Sequence, residues 1–80
     1  MLRALAHPAR RTLVRACLDE PRAAGELADL IDLAPASVSE HLKVLRKSGV
    51  LTLDKRGRFW IYTTNRQALH EAAAALERLA

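Results

Sequence analysis

Eighty residues, half of them hydrophobic, make one small domain whose core is thin for a chain that stands alone, and they argue against disorder. One cysteine excludes an intramolecular disulfide, no apolar stretch reaches the ~20 residues of a membrane span, and no signal-peptide layout opens the chain. The expectation is a soluble, cytoplasmic, self-associating domain, too small to build and shield a reaction pocket. The net charge is +4, but it is not spread evenly. Between Lys43 and Arg58 stand six basic residues and one acidic residue, Asp54, a net +5, and the rest of the chain is net −1. So localised an excess is the footprint of a surface that meets a polyanion, or of a solvated basic face.

In chain order, Leu2, Leu5 and Ala6 keep helical spacing until His7-Pro8, where Pro8 suits the first turn of a second helix. That helix turns Leu13, Val14, Cys17 and Leu18 to one face, and Asp19-Glu20-Pro21 ends it. A third helix runs from about Ala24 to Ile31, with Glu26 in its first turn and Leu27, Ala28, Leu30 and Ile31 expected inside. A tight turn over Asp32 to Ala34 follows, with Asp32 expected to take a left-handed conformation. Pro35 then opens a recognition helix over about 35–48, with a weak N-cap in Ala34 and a stop at Gly49. Two helices joined so closely form a helix-turn-helix.

After Gly49 the period falls from 3.6 to 2. Val50 to Asp54 and Phe59 to Thr63 flank the basic tip Lys55-Arg56-Gly57-Arg58, which predicts a β-hairpin wing over about 50–63. Asn65 caps a last helix, about 65–80, with Leu69, Ala72, Ala73, Leu76 and Leu79 in a narrow stripe suited to dimerisation or to packing on its own domain. The order is mainly α with a small β-hairpin, α-α-α-α-β-β-α, a single winged helix-turn-helix over residues 1–80.

A helix-turn-helix sends the start of its second helix into the DNA major groove. Projected at 100° per residue, Val38, Leu42 and Leu45 face the core, and Ala36, Ser39, Glu40, Lys43 and Lys47 face outward, with Ser37 and Arg46 on the flanks. Small residues admit the backbone to the groove, Ser reaches bases or phosphates, and Lys pairs with phosphates. Glu40 either accepts from a cytosine amino group or repels phosphate. Arg56 and Arg58 at the wing tip suit phosphates or a narrow minor groove. If Lys43, Lys47, Arg56 and Arg58 each neutralise one phosphate, a dimer's affinity falls with log salt at a slope of roughly −7.

Leu5-Ala6-His7-Pro8-Ala9-Arg10, Gly25-Glu26-Leu27-Ala28, the run from Val38 to Gly49, and Gly57-Arg58 with Tyr62 together resemble an ArsR-type transcriptional regulator across nearly the whole chain. The resemblance implies a homodimeric repressor on a two-fold-symmetric operator of double-stranded DNA, paired through its first and last helices. On that basis the interface includes Leu2, Leu5, Leu69, Ala72, Ala73, Leu76 and Leu79. It also implies DNA contacts from Pro35, Ala36, Ser37, Ser39 and Glu40. The family's cysteine-pair metal site has no cysteine here between Ala23 and Asp29, and its last-helix site finds only His70, Glu71 and Glu77. No metal or cofactor is therefore expected, and the inducing signal is unknown. Cys17, on the apolar face, is expected to be an inert buried thiol. No nucleophile elbow or phosphate loop is present, so no enzyme is expected. The competing reading is a winged helix used as a protein-interaction module, which would expose apolar or aromatic residues where the cations stand.

Overall fold

The computed structural model describes residues 1–79; Ala80, the expected end of the last helix, lies outside the described residues. The chain forms α1 (Leu2–Leu5), α2 (Pro8–Asp19), β1 (Arg22–Ala23), α3 (Ala24–Leu30), α4 (Pro35–Lys47), β2 (Leu51–Arg56), β3 (Phe59–Thr64) and α5 (Arg66–Leu79). This is a winged helix-turn-helix, and the expected order stands with one addition. The short strand β1 pairs antiparallel with β3, Arg22 opposite Tyr62 and Ala23 opposite Ile61, which makes a sheet of order β1-β3-β2. Two residues are too few to display an alternating pattern. Their pairing answers a need of the distant β3, whose outer edge would otherwise stay open.

Local chemistry accounts for the helix ends. His7 caps α2 by accepting the Ala9 N–H at Nδ1, 3.1 Å away, with Pro8 in the first turn. Glu26 reaches back to accept the Ala23 N–H at 3.1 Å, half of a capping box, because Ala23 has no side-chain oxygen to return the bond. Arg22 holds this corner, bridging Glu20 at 3.2 Å and Glu26 at 3.7 Å while its Nε donates to the Ala16 carbonyl at 3.2 Å. Asn65 Oδ1 accepts the Ala68 N–H at 3.1 Å and starts α5 as expected.

The turn between α3 and α4 departs from expectation. Among the described residues no residue other than glycine has positive φ, so Asp32 is not left-handed. Ile31 is extended instead, and the Leu33 N–H donates to the Ile31 carbonyl at 2.9 Å, which closes a three-residue inverse turn on Asp32. Leu30, the last residue of α3, stays 53% exposed, where the spacing placed it inside. Gly49, at φ +89°, supplies the left-handed stop after α4.

In the hairpin Arg56 pairs with Phe59, so Gly57 and Arg58 alone make the turn. Positive φ at Gly57, +60°, and not at Arg58 is the type II′ pattern that matches strand twist. The strands thus run farther toward the tip than their hydrophobic pattern, and Lys55 and Arg56 belong to β2. The core gathers Leu13, Val14 and Cys17 of α2, Leu27 of α3, Val38, Leu42 and Leu45 of α4, and Val50, Leu51 and Tyr62 of the wing. Thr64, buried on β3, donates to the Val14 carbonyl at 2.8 Å and ties the sheet to α2.

Candidate nucleic-acid interface

Burial along α4 follows its projection. Val38, Leu42 and Leu45 are inside, and Pro35, Ala36, Ser37, Ser39, Glu40, Lys43 and Lys47 are all exposed on one continuous outer face. At the helix start the Ala34 carbonyl accepts from the Ser37 and Val38 N–H groups at 2.9 and 3.1 Å, and the Ala34 side chain caps nothing. The helix therefore presents a small, hydroxyl-bearing N-terminal end and a cationic C-terminal end.

His41 turns away from this face toward α2. Its Nδ1 accepts from Arg10 Nε at 3.1 Å, and its ring centroid lies 4.5 Å from that of His7 at a 49° tilt. Desolvation first, then the neighbouring His7 and Arg10, hold its pKa below 6.5 against the pull of Glu40. A neutral His41 is what an acceptor from Arg10 requires. The Arg10–His41 bond thereby locks the rotation of α4 to the start of α2.

The wing contributes its two faces unequally. Alternation puts Trp60, Tyr62 and Thr64 on the inner side of the hairpin, together with their partners Lys55, Leu53 and Leu51. Thr64 faces α2, and Trp60 and Tyr62 face α4. On the outer side Arg56 donates to Asp54 at 2.7 Å, so its charge is shared, and Phe59 is 65% exposed. Arg58 is exposed in the turn. On the inner side the Lys55 ammonium sits 4.4 Å from the Trp60 ring centroid. Between α4 and this inner side lies a cleft of about 240 Å3 reached by Ser39, Lys43, Arg46, Trp60 and Tyr62. Composition and helical projection missed Lys55, Arg46 and Trp60 as a group. The signal was there in the hairpin register, which sets Lys55 opposite Trp60 once the turn is reduced to two residues.

Together α1, α2 and α5 line an apolar groove of about 550 Å3. Leu2, Leu5, Val14, Leu18, Leu69 and Leu76 line it, with Arg11 and Arg15 among them. Four residues expected in a dimer interface thus converge there. Ala73 and Leu79 are exposed on α5, and Ala72 is turned inward, already 5% exposed within its own chain, so it has little surface left to give a partner. Cys17 is 1% exposed, and burial pushes its pKa up to about 11, which keeps the thiol protonated at neutral pH. Among the described residues no three His, Cys, Asp or Glu side chains gather as a metal site, and no helix is long and apolar enough to cross a membrane.

These features define a winged helix-turn-helix with a cationic face on α4 and the wing and an apolar groove among α1, α2 and α5. Residues 5–54 match the family described as "Helix-turn-helix domain". The HTH-type transcriptional repressor SmtB of Mycobacterium tuberculosis is 39% identical over 62 residues, a match covering 78% of this chain and 46% of the repressor. The chain thus spans about half the length of that relative. A crystal structure described as "Possible transcriptional regulator for arsenical resistance" superposes with a TM-score of 0.91 at 31% identity, covering 98% of this chain and 81% of that one. An ArsR family transcriptional regulator superposes at 0.88 with 28% identity, covering 98% and 86%. The chain belongs to the ArsR-type family of winged helix-turn-helix transcriptional regulators.

Proposed function

We propose that this chain is a non-enzymatic, sequence-specific DNA-binding repressor that acts as a homodimer in the cytoplasm on a two-fold-symmetric operator. The observation that carries the reading is the outer face of α4, where exposed small and hydroxyl residues lead into Lys43 and Lys47 beside a cationic wing. Ala36, Ser37 and Ser39 approach base edges or phosphates at the floor of the major groove, with Pro35 and Glu40 at its wall. Lys43, Lys47, Arg56 and Arg58 engage the backbone, Arg56 less strongly because Asp54 shares its charge. Two copies joined across the α1–α2–α5 groove place two recognition helices in successive major grooves, about 34 Å apart for a B-form helix. The similarity to a protein named a transcriptional repressor supports the sign of regulation.

A second reading, a protein-interaction module, draws on the 65% exposure of Phe59 on the wing's outer side. One experiment separates the two: selection of bound duplexes from a random DNA pool at near-physiological salt. A two-fold-symmetric motif is the expected product, with half-sites one helical turn apart. Recovery of no motif, with binding that vanishes as salt rises, would favour the interaction module.

A further inference from the structure

We propose that the cleft between α4 and the inner face of the wing seats a phosphate of the DNA backbone, held by Lys43, Arg46 and Lys55, with Trp60 positioning Lys55. This rests on the DNA-binding reading and adds to it the residues that lock the recognition helix in register. In DNA the major and minor grooves are separated by a sugar-phosphate strand. If α4 lies in the major groove and the wing tip in the neighbouring minor groove, that strand must pass between them. The chain has a cleft of about 240 Å3 in that place, lined by Ser39, Lys43, Arg46, Trp60 and Tyr62 with no acidic side chain among them.

The charges there are free to act. Among the described residues the ion pairs involve Arg22 and Arg56, so Lys43, Arg46 and Lys55 carry no carboxylate partner. Trp60 lines the cleft and carries the Lys55 ammonium 4.4 Å from its ring centroid, an arrangement that orders a flexible side chain before any anion arrives. Burial raises the Tyr62 pKa, and the field of Arg46, which reaches the cleft floor, opposes that rise. The Ser39 hydroxyl is exposed and available to donate. Arg56, one residue along on β2, lies on the opposite face and is paired to Asp54, so the wing's inner side holds the unpaired charge.

Trp60 is the chain's one tryptophan, so its emission reports on the cleft alone. The test is a fluorescence titration of the protein with a duplex at several salt concentrations, for wild type and an Arg46→Gln/Lys55→Gln variant. Duplex should change Trp60 emission in the wild type. In the variant the slope of log affinity against log salt should flatten by about 2 per dimer, one phosphate per protomer, with the preferred motif unchanged. The variant should therefore lose about tenfold less affinity than wild type between 50 and 200 mM salt. Lys55→Gln alone, at an exposed strand position, should show the same trend and retains the test if the double variant folds poorly. Duplex that binds with unchanged emission and an unchanged slope in the variants would overturn the cleft assignment and leave DNA binding intact. A wild type that binds no duplex would overturn both. Inorganic phosphate that saturates the Trp60 response without displacing duplex would give the cleft to a free anion, and would also overturn the proposal.

Discussion

Cys17 shows how a single residue's chemistry follows from its surroundings. Leu13 and Val14 share its helix face, and the closed core leaves it 1% exposed. A thiolate there would be a desolvated charge, and burial outweighs the favourable pull of Arg22, so the pKa is pushed up to about 11. A group whose folded pKa is raised lends stability that is complete below its unfolded value and is lost as pH climbs toward the folded one. Between about pH 9 and 11 the unfolded chain ionises Cys17 first, and this group alone lowers stability by up to ~1.4 kcal/mol per pH unit. Thermal melts of wild type and Cys17→Ala across that range should show the variant declining less steeply, with Tyr62 titrating in both. Parallel declines would mean that burial does not govern the thiol. Alkylation of native protein near pH 8 should be slow for the same reason.

At the scale of elements, α4 depends on an N-terminus that its own sequence serves poorly. Ala34 has the extended backbone of an N-cap, φ −59° and ψ 143°, but no oxygen to give. Pro35 compensates in part by fixing φ for the first turn. Ala34→Ser should therefore stabilise the free protein by about 1 kcal/mol, read as a rise in the midpoint of thermal or urea unfolding. An unchanged midpoint would mean that packing of Val38 and Leu42 already sets the start of the helix. The wing obeys a different logic. Its inner face continues the core through Leu51, Leu53 and Tyr62, then hands over to exposed Lys55 and Trp60, so one alternating pattern serves the core at its base and sets a cation on an aromatic ring at its tip.

For the whole molecule, the two proposed surfaces lie on different elements and make different demands. The proposed DNA-binding side is built from α4 and the wing, which pack directly into the core. The apolar groove is built from α1, α2 and α5, and α5 leaves Leu76 54% and Leu79 79% exposed. Leu76→Glu should leave the protomer folded, because the side chain is already half in water. In a dimer joined through the groove it would bury an unpaired charge, so the expected result is a monomer by sedimentation with weak operator binding. A variant that still sediments as a dimer would place the interface elsewhere.

Periodicity in the sequence determined the helices, the hairpin and the inward and outward faces of α4, because each of these is a local pattern within one short stretch of chain. Composition located the basic window, and the run of matching residues pointed to the family. The features that escaped are non-local. Strand β1 exists because β3 lies beside it, and the exposure of Leu30 depends on which face of α3 the rest of the chain covers. The turn itself could not be read from Asp32, whose tolerance of a left-handed conformation was left unused once a tighter turn satisfied the backbone. Arg46 and Trp60 lie on separate elements, and only the docking of the wing against α4 brings them to one cleft, with Lys55 over the Trp60 ring. The tertiary structure likewise decided that Ala72 belongs inside while Leu76 remains open, although both lie in one helical stripe.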